Sequence, residues 1–139
     1  MSVSDVAGLQ QILLVEDDLL IREMYQLYLE DKGYHIDTAS DGDEALEAAK
    51  KFHPELIFLD IMMPKRNGLE VLEILRTDPS YGCTNCKIVL LTNLGDNTVA
   101  EKVKDKIDGY AVKAEITLAD LVNIIKSFEQ PPAAAVQAA

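Results

Sequence analysis

Three four-residue apolar runs, at 12–15, 56–59 and 88–91, constrain this chain more than any other feature. Runs so short and so continuous are typical of β-strands covered on both faces, because a strand with one wet face alternates apolar and polar residues. The rest of the chain reads accordingly. Strands are expected at 11–16, 34–38, 55–60, 87–92 and 108–112. Helices are expected at about 19–32, 43–52, 68–77, 96–106 and 118–128. Leu46, Ala49 and Phe52 recur at helical spacing, as do Leu118, Leu121, Val122 and Ile125.

Punctuation agrees with these boundaries. Gly33 stands where a helix ends in a left-handed residue. Asp41-x-x-Glu44 and Thr117-x-x-Asp120 have the spacing of capping boxes, and Pro54 and Pro79 close helices. Five βα units with short crossovers imply one doubly wound α/β domain, a parallel sheet covered on both faces. Residues 11–129 form that domain. Residues 1–10 read as a flexible extension and 130–139 as a disordered Ala/Pro-rich tail, since neither carries the pattern.

Composition narrows the function. Of 139 residues, 24 are acidic and 13 basic, for a net charge of −11. So negative a surface repels phosphate backbones and anionic lipid, which excludes direct nucleic-acid binding and leaves proteins and cations as partners. No apolar run approaches the roughly 20 residues that span a bilayer, and residues 1–10 lack a secretory pattern, so no membrane insertion is expected and the location is cytoplasmic. Cys83 and Cys86 form one C-x-x-C pair with no second pair to complete a zinc site. They are expected to be reduced thiols in a loop, and the segment 78–86 around them is longer than a typical αβ connection.

In an open parallel sheet, ligands bind beyond the carboxyl ends of the strands. Strand one ends in Glu16-Asp17-Asp18, strand three in Asp60, strand four in Thr92 and strand five in Lys113. Adjacent strands lie about 5 Å apart, so these residues gather at one rim if strand three lies between strands one and four. Crowded carboxylates must take up protons or share a cation. Mg2+ suits a few carboxylate oxygens plus a phosphate, and a carboxylate can itself attack phosphorus. Asp18 is better placed as a helix N-terminal acid than as a ligand. Lys65 and Arg66 read as solvated loop charges, and Met62 and Met63 as packing residues.

These residues carry a family resemblance. Leu13-Leu14-Val15-Glu16-Asp17-Asp18, Asp41-Gly42-Asp43-Glu44-Ala45-Leu46, Leu59-Asp60-Ile61-Met62-Met63-Pro64, Asn67-Gly68-Leu69-Glu70, Leu91-Thr92 and Tyr110-Ala111-Val112-Lys113 occur in the order and spacing of response regulator receiver domains. The chain resembles that CheY-like family over about 11–128. The resemblance implies a flavodoxin-like sheet of order 2-1-3-4-5 with five helices. It implies that Asp60 is the phosphoacceptor, and that Glu16, Asp17, Asp60 and the Met62 backbone carbonyl hold Mg2+. Lys113 would pair with the phosphoryl group, Thr92 would move toward it, and Tyr110 would turn inward with Thr92. The implied partners are a histidine kinase or histidine phosphotransfer protein and a downstream protein target, met through the face of helix four, strand five and helix five. A monomer or a weak phosphorylation-dependent dimer is implied, acting alone or cut from a longer regulator.

Two positions depart from the family pattern. Asn93 follows Thr92 where a small residue is usual, and Ala114 follows Lys113 where a proline in a cis peptide is common. Two other classes are weighed against a receiver. A haloacid-dehalogenase-type phosphatase wants a second acid two residues after the nucleophile, whereas Asp60 is followed by Ile61-Met62. A phosphorylation-independent adaptor would not need the full set of Glu16, Asp17, Asp60, Thr92 and Lys113.

Overall fold

The computed structural model describes residues 11–63, 65–93 and 97–129, without the Asn97 side chain. The extension expected over 1–10 and the tail expected over 130–139 lie outside the described residues. The elements run β1 (Gln11–Val15), α1 (Leu19–Asp31), β2 (His35–Ala39), α2 (Gly42–Phe52), β3 (Leu56–Asp60), α3 (Gly68–Thr77), β4 (Lys87–Thr92), α4 (Asn97–Lys102), β5 (Gly109–Val112) and α5 (Leu118–Ser127). All strand pairs are parallel, in the order β2-β1-β3-β4-β5.

The apolar runs become the middle of the sheet, and their alternate residues feed two separate cores. Leu13, Val15, Ile57, Leu59, Ile88 and Leu90 point to one side, against α2, α3 and α4. Ile12, Leu14, Leu56, Phe58, Val89 and Leu91 point to the other, against Tyr25 and Leu29 of α1 and Leu121 and Ile125 of α5. A pleated strand sends successive side chains to opposite faces, so an unbroken apolar run is what a sheet between two helix layers requires.

Helix starts are capped by side chains. Thr117 and Asp120 exchange bonds as a full capping box. Asp41 accepts from Glu44 N at 2.8 Å, but the Glu44 carboxylate turns to Ser40 instead of back to Asp41, so the box expected there is half made. A complete box at Asn67 and Glu70 starts α3. Gly33 has φ of 100°, the left-handed residue expected after α1.

Two expectations change. Helix four ends at Lys102 instead of near residue 106. Beyond it the chain tightens into three-residue turns, with Lys106 N donating to Val103 O at 2.8 Å. The physical reason is the pull of neighbouring elements: Arg76 binds the Lys106 carbonyl at 2.8 Å, and Ile107 packs against the core. The cysteines are not reduced thiols: Cys83 and Cys86 are joined as a disulfide with Cα atoms 4.8 Å apart. A 3-10 turn at Pro79–Tyr81 and the left-handed Gly82, with φ of 69°, fold the segment back and bring the two sulfurs together.

Arg76 organises this region. Its guanidinium donates to the carbonyls of Cys83 (3.2 Å), Thr84 (3.3 Å), Cys86 (2.6 Å) and Lys106 (2.8 Å), and to the Asp108 carboxylate (3.1 Å). Asp108 in turn accepts from Ile88 N at 2.9 Å, the second residue of β4. Replacing Arg76 with Met should lower stability by about 2–3 kcal/mol in urea unfolding, because it leaves Asp108 and several carbonyls without their charged donor. A loss below 0.5 kcal/mol, the scale of an exposed ion pair, would show that these contacts are incidental.

Candidate functional site

The register of the sheet sets the rim residues side by side. Val15 lies opposite Leu59, so Glu16 and Asp60 leave their strands together. Asp60 lies opposite Leu91, and Thr92 opposite Val112, just before Lys113. Lys113 N donates to Thr92 O at 2.8 Å and so continues the ladder by one residue.

Glu16 and Asp60 are buried, at 0% and 1% exposure, and Asp17 is exposed. Each of the three offers a carboxylate oxygen within 4.8 Å of the others. The Lys113 ammonium bridges the buried pair, at 3.1 Å from both Glu16 oxygens and 3.2 Å from Asp60 Oδ2. Backbone donors complete the shell: Asp18 N lies 3.1 Å from Glu16 Oε2, and Met62 N lies 3.1 Å from Asp60 Oδ1.

Burial pushes the Asp60 carboxyl up to about 7, the Glu16 charge pushes the same way, and Lys113 only partly opposes them. Burial alone would lower the Lys113 ammonium, but the Asp60 and Glu16 carboxylates outweigh it and hold Lys113 above the ordinary lysine value. Burial, with the Glu16 charge behind it, also raises the Tyr25 hydroxyl. The site therefore carries more negative charge than one ammonium offsets. A small hard cation fits this donor set, because Mg2+ prefers a few carboxylate oxygens to nitrogen or sulfur.

Glu16, Asp17, Asp60 and Lys113 are thus brought together as the sequence suggested. Thr92 is buried at the neighbouring strand end, but its hydroxyl donates to the Ala111 carbonyl at 3.3 Å. Tyr110, one residue before that carbonyl, is 41% exposed. Met62 is also exposed, at 58%, and so is not the packing residue expected. Its backbone N touches Asp60. Asp18 caps α1, accepting from Ile21 N at 3.1 Å. The peptide bonds of the described residues include no cis form, so a trans turn after Lys113 delivers the ammonium without proline.

Some contributors were not read from the sequence. Arg22 reaches the Glu16 carbonyl at 2.8 Å. Lys65 and Arg66 are exposed but ion-paired, at 3.4 Å to Asp41 and 2.8 Å to Asp43, which ties the loop after β3 to the start of α2. Gly68 lies so close to that loop that a Cβ would stand 2.3 Å from the Asp60 carbonyl. Gly68 N donates to Ile61 O at 2.8 Å, so α3 begins against the residues that carry the site. The Asn67-x-x-Glu70 spacing was the available signal for this helix start.

Comparison with known proteins places this geometry in a class. The family described as response regulator receiver domain matches residues 12–126. The chain belongs to the response regulator receiver family. It is 38% identical over 106 residues to a probable transcriptional regulator ycf27 of Cyanophora paradoxa, covering 76% of this chain and 40% of that protein. It is 34% identical over 105 residues to the DNA-binding response regulator MtrA of Mycobacterium leprae, covering 75% and 44%. The chain thus spans less than half the length of these two relatives. Among solved structures, chemotaxis protein CheY4 of Vibrio cholerae is similar with a TM-score of 0.76 and 29% identity, over 86% of this chain and 98% of that one. TrrA of Thermotoga maritima, solved in complex with Mg(2+)-BeF, is similar with a TM-score of 0.73 and 34% identity, over 85% and 97%.

The crowding of charge makes a pH-dependent prediction for the cation-free protein. With Asp60 raised from 3.8 to about 7, the folded state keeps a proton that the unfolded chain releases between those values. Its stabilising contribution is therefore full below about pH 4 and lost as the pH rises through 7. Asp60→Asn should be more stable than the wild type at pH 8, with a gain about 1–2 kcal/mol larger than at pH 5. Urea unfolding in a chelator measures this, and an equal gain at both pH values would sink the assignment of crowding to Asp60.

Proposed function

We propose that Asp60 accepts a phosphoryl group from a histidine kinase or histidine phosphotransfer protein, and that the domain at 11–129 signals by the rearrangement that follows. The observation that carries this reading is the Lys113 ammonium shared by two buried carboxylates, with the exposed Asp17 carboxylate beside them. An exposed carboxylate would be an easy ligand but a poor trigger. A buried one, held by a single cation, changes its surroundings when its charge changes.

Glu16, Asp17, Asp60 and the Met62 backbone carbonyl would hold Mg2+. When bound, the ion offsets the charge between a carboxylate and incoming phosphoryl oxygens. An Asp60 oxygen attacks phosphorus, and the bond to the donor imidazole nitrogen breaks as the acyl phosphate forms. Lys113 follows the new charge and pairs with a phosphoryl oxygen. The Thr92 hydroxyl exchanges the Ala111 carbonyl for another phosphoryl oxygen, and the loss of that bond frees β5 at the residue next to Tyr110. Tyr110 then turns inward, which changes the surface of α4, β5 and α5 offered to a downstream protein. Couplings of this kind are worth about 1–3 kcal/mol, enough to redirect a partner. The only reactions the domain promotes are its own phosphorylation and dephosphorylation.

The cytoplasm is the proposed location, and no described helix is long and apolar enough to cross a membrane. A monomer or a weak phosphorylation-dependent dimer suffices for this mechanism. Leu20, Met24 and Leu27 of α1 are 76%, 47% and 68% exposed and recur at helical spacing, which suits the docking of a helical phosphodonor.

Intact-mass spectrometry with Mg2+ and acetyl phosphate tests the reading. One phosphoryl group should be added, and none in Asp60→Asn or in a chelator. Leu20→Asp should label normally from acetyl phosphate and at least about tenfold more slowly from a phosphorylated histidine partner, since only the second donor needs a docking surface. Folded wild-type protein that gains no phosphoryl group would instead favour the phosphorylation-independent adaptor.

A further inference from the structure

The disulfide lies outside the mechanism above, at the other end of the sheet. Cys83 is fully buried among the side chains that cover β4 on the α3 side, and Cys86 is half-buried. Cys86 lines an open polar hollow of about 380 Å³, together with Arg76, Lys87, Lys106, Asp105 and Asp108. Arg76 is paired with Asp108, Lys106 with Glu73, and Lys87 lies 3.9 Å from Asp108, so the hollow is lined by paired charges. Cys86 thus borders an open hollow, and its partner is enclosed. That asymmetry suits thiol–disulfide exchange, in which attack falls on the accessible sulfur.

The pair is also wired to a distant edge of the sheet. The carbonyls of both cysteines and of Thr84 accept from one nitrogen of Arg76. The same guanidinium holds Lys106 O and Asp108, and Asp108 directly precedes β5, the strand of Tyr110. Asp108 is further fixed to β4 through both its backbone N and its carboxylate, at 2.8 and 2.9 Å from Ile88. The loop closed by the disulfide thus forms half of the cage around Arg76, and the approach to β5 forms the other half.

We propose that Cys83–Cys86 is a reversible redox site for small thiols, received in the hollow at Cys86, and that Arg76 carries its state to the start of β5. In the reductive direction a thiolate attacks Cys86 Sγ, and the Cys83 sulfur leaves with the electron pair and takes up a proton. A second thiolate then attacks the mixed disulfide at the small-molecule sulfur, releasing Cys86 as a thiol. Two small thiols become one disulfide, and the protein gains two electrons and two protons. Oxidation by the small disulfide is the reverse. Once open, the segment 83–86 no longer holds its three carbonyls in one arc around Arg76, and the turn at 106–108 loses its fixed neighbour.

The test uses the whole chain with glutathione as the reductant. Thiols are counted by alkylation and intact mass, and amide hydrogen exchange is followed over 106–109. Both thiols should appear together and disappear again in oxidised glutathione. Reduction of the wild type should raise exchange over 106–109 at least about fivefold, and Cys83→Ser/Cys86→Ser should show the fast exchange in either buffer. Thiols that fail to re-pair in oxidised glutathione overturn the redox site. Unchanged exchange on reduction overturns the link to β5.

Discussion

One ammonium between two buried carboxylates is the interaction on which the rest of this structure depends. Glu16 and Asp60 are almost wholly removed from water, and Lys113 is their only side-chain cation among the described residues. Taking charges out of water is costly, and the cost is recovered only where hydrogen bonds and an opposite charge are well placed. Here Asp18 N, Met62 N and Lys113 Nζ supply them. The offset is incomplete, which is why the Asp60 carboxyl holds its proton so far above the usual range. A site built this way is unstable toward any cation or phosphoryl group that rebalances it, and that instability is what a switch requires.

The scaffold keeps this arrangement from relaxing. Three central strands contribute the carboxylates and the hydroxyl, and each is locked from both sides by a separate apolar core. The loop after β3 is pinned by Gly68 against Asp60, by the capping box of α3, and by the Lys65 and Arg66 ion pairs to the start of α2. Beside this fixed half, the Thr92 and Tyr110 side is looser. The Thr92 hydroxyl is held by a single bond of 3.3 Å, and Tyr110 is partly exposed. Rigid carboxylates next to a weakly tethered hydroxyl give phosphorylation something to move.

Much of this could be read from the chain before its structure. Continuous apolar runs have one good explanation in a chain of this size, so the strands and the layered fold followed from periodicity. The acids and the lysine followed from asking what stands at strand ends. Other features depend on contacts between segments distant in sequence. The early end of α4 comes from Arg76 and the core capturing residues 106–107, which local propensity does not encode. The disulfide comes from a left-handed Gly82 and a 3-10 turn, so spacing alone misled. Lys113 shows the reverse case. Proline is missing after it, yet the ladder bond to Thr92 and the two carboxylates place it without a cis peptide.

The central claim is that the crowded carboxylates await a divalent cation, and calorimetric titration with Mg2+ tests it most directly. The account predicts saturable binding of one ion per chain, weakened at least about tenfold in both Asp60→Asn and Asp17→Asn, since each removes a hard oxygen ligand. No saturable binding, or binding that survives Asp60→Asn unchanged, would contradict it.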